Sequence, residues 1–420
     1  MTSKIIAGLA LVLSTTAVFA QQGGDVKESH VHIGLVYPLS TNGVQAFNYK
    51  NQVSLHAIGG ASASEEGFCA SGVGNVIRYN GNGFIAAGLG NIIMDNAEGV
   101  QAAGFLNYVK NNTHGFQAAG FANITGSFEG VQAGGFANIN TKATRGAQLG
   151  GFLNMAKEMD GLQAAGFANL TMKNTEGTQL GGFMNITKDL DGFQAAGFTN
   201  LAKNAIGAQV AGFGNNAKDI KGAQVAGFYN IAKDVNTQVA GFINIAKNVN
   251  GAQVGFINIA DSSDYPVGII NISKKGEKMI GATVDDNLTT LVTFRSGGKY
   301  LYGIVGVGAN FRYPTAVYAS EAGIGAHIPL AKSFRINLEA VSTSLSDYWT
   351  TVQINSTFRV LGAVKLGQKV ELFAGPAFHY TFSNDLMFAD SRTNYLWSHN
   401  QKGYYQNIFI GGIAGLHFNI

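Results

Sequence analysis

Apolar and polar side chains alternate along short stretches of this chain, as they do in β-strands with two unlike faces. In the stretch 177–187, Leu180 and Ile186 fall on one face of an extended strand, whereas Gln179 and Asn185 fall on the other. A short polar turn that ends in glycine follows. The pattern predicts a strand of about ten residues and then a turn, which is the length of a strand that crosses a membrane.

This stretch is one copy of a repeat that dominates the chain, Gly-x-Gln-x-Ala/Gly-Gly-Phe-x-Asn. From Asn107 onward the copies are spaced alternately by 16 and 15 residues, then by 15, and finally by fewer. Such regularity is specific for a repeat architecture, although it carries no direct information about chemistry. The asparagine stands at Asn75, Asn91, Asn107, Asn123, Asn138, Asn154, Asn169, Asn185, Asn200, Asn215, Asn230, Asn244, Asn258 and Asn271.

The two faces of the repeat differ in composition. One face carries varied apolar residues, such as Val100, Leu106 and Tyr108 in one copy, whereas the other face is nearly constant. Charged residues are almost confined to the turns. Because lipid accepts any apolar side chain, a variable apolar face favours a lipid-facing surface.

Two arrangements of the repeats fit this pattern. Copies alternate between Leu-Gly-Gly-Phe, at Leu149 and Leu180, and Ala-Ala-Gly-Phe, at Ala164 and Ala195, which favours a meander with two kinds of turn. We therefore predict an all-β fold, an antiparallel up-and-down outer-membrane β-barrel built largely of 15–16-residue strand-turn repeats. The alternative is a parallel β-solenoid of the repeats followed by an eight-stranded C-terminal barrel. Identical strands in identical register provide little stagger, which counts against the single barrel.

Changes in the pattern divide the chain into four segments. We assign residues 1–20 to a signal peptide, 21–66 to N-terminal strands and a divergent first repeat, 67–273 to the strand-turn repeats, and 274–420 to C-terminal barrel strands. The last segment contains about eight longer strands with clean alternation, a number that suits a closed barrel.

The first twenty residues have the features of a secretory signal. Lys4 precedes the apolar stretch 5–19, and small residues precede Gln21 at the expected cleavage site. No later stretch has the roughly 18 continuous apolar residues of a membrane helix. Cys69 is the sole cysteine, so no intramolecular disulfide can form. We expect export to the outer membrane or cell surface, and a chain that spans that membrane must do so as a closed barrel.

Polar residues on the constant face line a lumen if the repeats form a barrel wall. The lumen-facing residues of the repeats are then Gln179, Asn185, Gln194, Asn200, Gln209 and Asn215. Charged residues of the C-terminal strands also point inward, where they pair in a narrow barrel or line an aqueous lumen in a wide one. These are Glu321, Arg335, Glu339, Arg359, Lys365 and Glu371.

Motifs for catalysis or cofactor binding are missing from the sequence. The glycine pattern at Gly303 lies within an alternating strand without a following helix, so it does not match a dinucleotide-binding fingerprint. His327, His379 and His417 fall on inward faces of separate strands, but no ligand spacing supports a metal site. No nucleophile-elbow sequence is present. We expect a non-enzymatic protein without a cofactor or metal.

Charge composition argues against a nucleic-acid partner. Only 13% of the residues are charged, against roughly 25% in a typical soluble domain, and the net charge is only +3. The sequence contains no basic cluster of the kind that nucleic-acid binding needs.

The repeat resembles the Gly-x-Gln-x-x-Gly-Phe/Leu-x-Asn surface-repeat proteins of Gram-negative-type bacteria such as Bacteroidetes and Leptospira. The resemblance covers Val31 to Ile272, including the opening 33–43 and the exit from the repeat at 267–272. It implies an outer-membrane or cell-surface location. From the predicted barrel we expect outer-membrane lipid and the barrel-insertion machinery as partners. The expected role is a structural barrel or passive pore. The alternative is a surface-displayed solenoid, a binding module or adhesin for an unknown extracellular ligand, anchored by a C-terminal barrel.

Overall fold

The computed structural model describes residues 25–313, 317–347, 352–384, 394–401 and 403–420. These residues form an all-β fold, a parallel β-solenoid of stacked repeats and a closed, eight-stranded antiparallel barrel. The predicted signal peptide lies outside the described residues. Among the described residues, no helix has the length and apolar character needed to cross a membrane.

The chain contains two compact units, Met1–Thr171 and Met172–Ile420. The first unit holds solenoid coils and a short 3-10 helix (Gly43–Asn48). Its strands are β1 (Lys27–Val36), β2 (Leu39–Ser40), β3 (Tyr49–Ser62), β4 (Ser64–Ser71), β5 (Gly74–Ile77), β6 (Gly81–Ala87), β7 (Gly90–Ile93), β8 (Ala97–Ala103), β9 (Leu106–Ala119), β10 (Ala122–Gly134), β11 (Ala137–Asn140), β12 (Ala143–Gly150), β13 (Leu153–Ala156), β14 (Glu158–Ala165) and β15 (Ala168–Thr171).

The second unit begins with further coils. Their strands are β16 (Asn174–Gly181), β17 (Met184–Ile186), β18 (Asp189–Ala196), β19 (Thr199–Ala211), β20 (Gly214–Ala226), β21 (Tyr229–Ile231), β22 (Asp234–Ala240), β23 (Ile243–Ile245), β24 (Asn248–Val254), β25 (Ile257–Ala260), β26 (Ser262–Val267) and β27 (Ile270–Ser273). The barrel follows, with β28 (Lys278–Asp285), β29 (Thr289–Gly297), β30 (Leu301–Asn310), β31 (Val317–Pro329), β32 (Phe334–Ser346), β33 (Val352–Leu366), β34 (Val370–Ser383), β35 (Trp397–Gln401) and β36 (Tyr404–Asn419).

Neighbouring copies of the repeat pair in parallel and in register. In the first unit, Asn123 of β10 lies opposite Asn138 of β11, and in the second unit Asn200 of β19 lies opposite Asn215 of β20. The antiparallel meander is therefore wrong, and the alternative of a parallel solenoid followed by an eight-stranded barrel is confirmed. The physical reason is that parallel stacking places every asparagine on the asparagine of the next copy.

The Gly-Phe pair of each repeat is a corner and not part of a continuous strand. In the copy at Gly212, β19 ends at Ala211 and β20 starts at Gly214. A Cβ atom on Gly212 would collide with the carbonyl oxygen of Gly197 in the adjacent coil, so only glycine allows the coils to approach this closely. The predicted ten-residue strand is thus two shorter strands with a bend between them.

The eight-stranded barrel closes through pairing between its first and last long strands, β28 and β36. Met279 lies opposite Asn419, and the pairing continues to Asp285 and Ile413. The short strand β35 adds a hairpin to β36 outside the closed ring. Because the strand number is even, the barrel begins and ends at the same edge.

Candidate functional site

Two ladders of stacked amides run inside the coils of the second unit. The Asn ladder joins each Nδ2 to the Oδ1 of the next coil at 2.8–3.0 Å, from Asn185 to Asn271. The Gln ladder joins Nε2 to Oε1 at 2.7–2.9 Å, from Gln179 to Gln253. A primary amide carries both a donor and an acceptor, so each amide in a column of identical side chains can hydrogen-bond to the next. The ladders hold the coils in register.

The six residues expected to line a lumen lie in these ladders. Their side chains are fully buried inside the coils and face no aqueous channel. This corrects the expectation, since the polar face points into a solenoid interior and not into the lumen of a barrel. The residues concerned are Gln179, Asn185, Gln194, Asn200, Gln209 and Asn215.

The repeat phenylalanines form a partly exposed column on the corners of the coils. Phe198 stacks on Phe183 and on Phe213 with ring centroids 4.8 Å apart in both pairs. Each ring remains more than a third exposed. In a continuous strand Phe183 would share a face with Asn185, two residues away, but the bend at Gly-Phe turns the ring outward.

Six lysines form another column on the opposite corner, where the sequence showed no basic cluster. The main-chain N–H of Lys188 donates to Lys173 at 3.0 Å, and that of Lys247 donates to Lys233 at 2.8 Å, which puts these residues at equivalent positions. The column comprises Lys173, Lys188, Lys203, Lys218, Lys233 and Lys247, all exposed. Asp219 lies 3.6 Å from Lys218 and 3.9 Å from Lys233, so adjacent carboxylates offset part of the charge.

Eight consecutive coils of the first unit contribute residues to a shallow apolar trough of about 1050 Å³. Most of its lining residues are alanine and glycine, including Ala86, Ala102 and Ala118, and the lining extends to Leu149. The trough is open and contains no unpaired polar side chain among its described lining residues. Its shape alone selects no ligand.

A buried histidine pair lies in the first coils of the solenoid. Nε2 of His56 lies 3.3 Å from Nδ1 of His32, and Nε2 of His32 lies 2.9 Å from Oγ of Ser40. Burial, and to a smaller extent the neighbouring His56, lower the pKa of His32 to about 4. Burial also lowers the pKa of His56. Both rings are therefore neutral at ordinary pH.

Glu65 is buried beside this pair. Its carboxylate accepts hydrogen bonds from Ser54 at 2.8 Å and from Asn51 at 3.2 Å. Burial raises the pKa of Glu65 to about 7, although these hydrogen bonds act in the opposite direction. Burial also raises the pKa of the Cys69 thiol, which donates to Asn75. In this environment the Cys69 thiol is packed and unreactive.

The barrel wall has a polar inner face and an apolar outer face. In β31, Glu321 and His327 point inward and are 3% and 4% exposed, whereas Tyr318, Ile324 and Ile328 point outward and are 46%, 44% and 41% exposed. This polarity is the reverse of that of a water-soluble domain, in which charges face solvent. A barrel wall with this polarity is compatible with lipid on its outside and polar groups on its inside.

Ion pairs fill the interior of the barrel. Five of the six charged residues predicted to face inward, Glu321, Arg335, Glu339, Arg359 and Glu371, are buried. The closest atoms are Arg295 Nε and Glu339 Oε1 at 2.9 Å, Arg359 Nη2 and Glu321 Oε2 at 2.5 Å, and Arg335 Nε and Glu371 Oε2 at 2.9 Å. They pair with one another, as expected of a narrow barrel.

Further charged groups lie near the edge of the barrel where β28 begins. Glu277 accepts a hydrogen bond from Arg335 at 2.7 Å and lies 3.4 Å from the ammonium group of Lys365. Lys365 is about 31% exposed, so it lies at the rim of the barrel interior. Glu277 precedes β28, so these contacts tie the connecting segment to the barrel.

The three inward-facing histidines belong to this packed interior. His327 Nδ1 lies 2.8 Å from Asn337, His417 Nδ1 lies 3.5 Å from Glu371, and all three rings are buried. Within the described part of the chain, no group of three or more His, Cys, Asp or Glu side chains has the geometry to hold a metal ion.

No protein-family model matches the chain, and comparison with curated proteins and with solved structures also finds no significant match.

The lysine column, the His32–His56 pair and the nearby Glu65 were not predicted from the sequence, because each depends on which residues become neighbours when the coils stack. In the sequence the lysine column is marked only by a Lys three or four residues after successive repeat Asn residues, as at Asn185 and Lys188. The His32–His56 pair joins residues of separate coils, and Glu65 lies on a third strand. Only the parallel pairing places them together.

Proposed function

We propose that this protein is a non-enzymatic outer-membrane protein in which the C-terminal barrel is an anchor and the solenoid is a binding or scaffold module. The observation that carries the proposal is the polarity of the barrel wall. Charged side chains are buried inside the ring, and exposed aliphatic and aromatic side chains cover its outside. An apolar girdle of this kind is stable in hydrocarbon and not in water.

The filled interior favours an anchor over a passive pore. Arg359 contacts both Glu321 and Glu339, and Arg295 contacts Glu339 from β29, three strands away in the ring. A small barrel whose interior is occupied by side chains leaves little room for solutes. We expect the purified protein to show no steady conductance in planar bilayers, and a stable open channel would favour the pore instead.

The solenoid has the features of a scaffold. Parallel coils expose long, regular rows of side chains, and extended repeat surfaces of this kind are commonly used for binding. The predicted signal peptide and the resemblance to surface-repeat proteins agree with export to the cell envelope. No group of residues in the site described above supplies a nucleophile with an activating base in an accessible cleft, which favours binding over catalysis.

A pair of matched substitutions tests membrane anchoring. Ile324→Arg puts a charge on the outer barrel wall, where it costs about 2–4 kcal/mol near the centre of a bilayer. Val210→Arg makes the same change on the outer face of a solenoid coil, where Val210 is also exposed. We expect the first variant to be depleted from the outer-membrane fraction and the second to remain. Equal recovery of both, or natural protein found in the soluble fraction, would refute the anchor.

A further inference from the structure

We infer that the coils of residues 172–273 lie on the periplasmic side of the outer membrane and not on the cell surface. This inference rests on the proposed anchoring of the barrel and assigns its orientation. It differs from the surface display that the resemblance implies. Three observations carry it: where the coils join the barrel, where the short turns lie, and what fills the barrel.

The coils join the barrel at a fixed edge. Residues 274–277 connect β27 to β28, and four residues can span at most roughly 14 Å. The apolar band of an outer-membrane barrel is roughly 25 Å tall, so the coils cannot reach the other rim. Asn271 bonds to Ser296, and Glu277 to Arg335, which fixes the last coil against this edge.

The three barrel connections at this edge are all short. The turns 298–300, 330–333 and 367–369 lie there, together with the end of β36. At the opposite edge the connection 286–288 is equally short, but the longest connection separates the end of β34 at Ser383 from the start of β36 at Tyr404. Outer-membrane barrels have short periplasmic turns and longer extracellular loops. By that rule, the edge that holds the coils faces the periplasm.

The packed interior argues for the same orientation. A solenoid on the cell surface must cross the membrane after export, and the barrel offers no open route for it. Arg295, Glu339 and Arg359 fill the centre of the ring, and each is 3% exposed or less. With the coils in the periplasm, only the loops of the opposite edge need to cross the membrane. Such loops cross together with their strand hairpins when the barrel inserts.

The consequence concerns the kind of ligand. Partners of the lysine column and of the exposed phenylalanine column are then periplasmic molecules, and of the second unit only the loops of the opposite edge are exposed at the cell surface.

Two cysteine variants of the full chain test this orientation. Lys203→Cys lies on an exposed corner of the coils, and Asn400→Cys lies on the exposed hairpin of β35 at the opposite edge. The buried Cys69 remains as an internal control and should not react in the natural protein. The probe is a bulky, membrane-impermeant maleimide linked to polyethylene glycol, added to intact cells and to cells with a permeabilised outer membrane.

We expect Asn400→Cys to be labelled on intact cells, and Lys203→Cys to be labelled several-fold more after permeabilisation. Labelling of Lys203→Cys on intact cells to the same extent as Asn400→Cys would overturn the orientation while leaving the anchor in place. Labelling of both variants in a soluble fraction would instead refute the anchor. Heat-modifiable migration of each variant on gels verifies that its barrel is folded.

Discussion

Asn271 ends the Asn ladder of the solenoid on Ser296 of the barrel. Its main-chain N–H donates to the Ser296 hydroxyl at 3.1 Å, and its side-chain Nδ2 donates to the Ser296 carbonyl at 3.3 Å. On its other side, Asn271 accepts a hydrogen bond from Asn258 at 2.8 Å. A free end of a parallel stack exposes unpaired main-chain groups that invite aggregation. A barrel hairpin thus caps the solenoid.

Removing the Ser296 hydroxyl is predicted to loosen that cap. Ser296→Ala deletes the acceptor for the Asn271 N–H, which we expect to cost about 1 kcal/mol, since a buried donor loses its partner. Hydrogen exchange measures the effect, and amides of 257–273 should exchange faster. Ser342→Ala, on the outer face of β32, serves as the control. Unchanged exchange in the last coil of the Ser296 variant would show that the hydroxyl contributes nothing.

The Asn ladder is predicted to be essential to the stability of the coils. Asn215 accepts from Asn200 and donates to the carbonyl of Val225 and to Asn230, at 2.9, 2.8 and 2.9 Å. Asn215→Ala leaves these buried partners unsatisfied, and we expect a loss of about 3 kcal/mol. Denaturant unfolding followed by circular dichroism measures it.

The neighbouring Asn216 provides a matched control for that substitution. Its side chain is exposed, so Asn216→Ala should change the unfolding free energy by less than about 0.5 kcal/mol. Equal effects of the two substitutions would show that the ladder adds no stability beyond that of a surface amide.

The buried carboxyl group of Glu65 is predicted to make the first coils less stable as pH rises. Burial raises its pKa from 4.5 to about 7, so the folded chain retains a proton that the unfolded chain releases. Its stabilising contribution is therefore complete below about pH 4.5, declines up to about pH 7, and stays low above that value. Gln at this position does not titrate. The stability of Glu65→Gln relative to the natural chain should thus rise from pH 5 to pH 8, by up to about 3 kcal/mol.

Thermal unfolding at several pH values measures this difference. Burial of His32 lowers its pKa to about 4 and acts in the opposite direction, but it is present in both proteins and cancels. Glu66→Gln is the control, because Glu66 is exposed and pairs with Lys50 at 3.5 Å. A constant difference between Glu65→Gln and the natural chain across this pH range would contradict the prediction.

The barrel interior is predicted to depend on Arg359. Its Nη1 atom contacts Glu321 at 3.1 Å and Glu339 at 3.3 Å. Arg359→Ala leaves a buried carboxylate without its partner, which costs about 3–5 kcal/mol. The temperature at which the folded band disappears in heat-modifiability gels should fall. Adding Glu321→Gln to the Arg359→Ala variant should restore part of this lost thermal stability. A further fall in the temperature would show that the charge on Glu321 is not the cause of the loss.

Local sequence was sufficient for much of the architecture. The spacing of Asn107, Asn123 and Asn138 predicted stacked repeats, and the alternation around Arg335 and Glu339 predicted a barrel strand with charges inside. Both follow from the two-residue period of an extended strand, which is a local property. The eight-stranded C-terminal barrel was part of one alternative and is confirmed.

Strand direction and the position of each corner were decided only by tertiary structure. Glycine at 212 and 227 looked like part of a strand, yet it forms a corner because a neighbouring carbonyl oxygen occupies the space of a Cβ atom. The alternation itself is the same for parallel and antiparallel neighbours, so Gln179 and Asn185 fitted a lumen as well as a ladder. Contacts such as Asn271 with Ser296 join residues that are distant in sequence, and only the packed fold brings them within hydrogen-bonding distance.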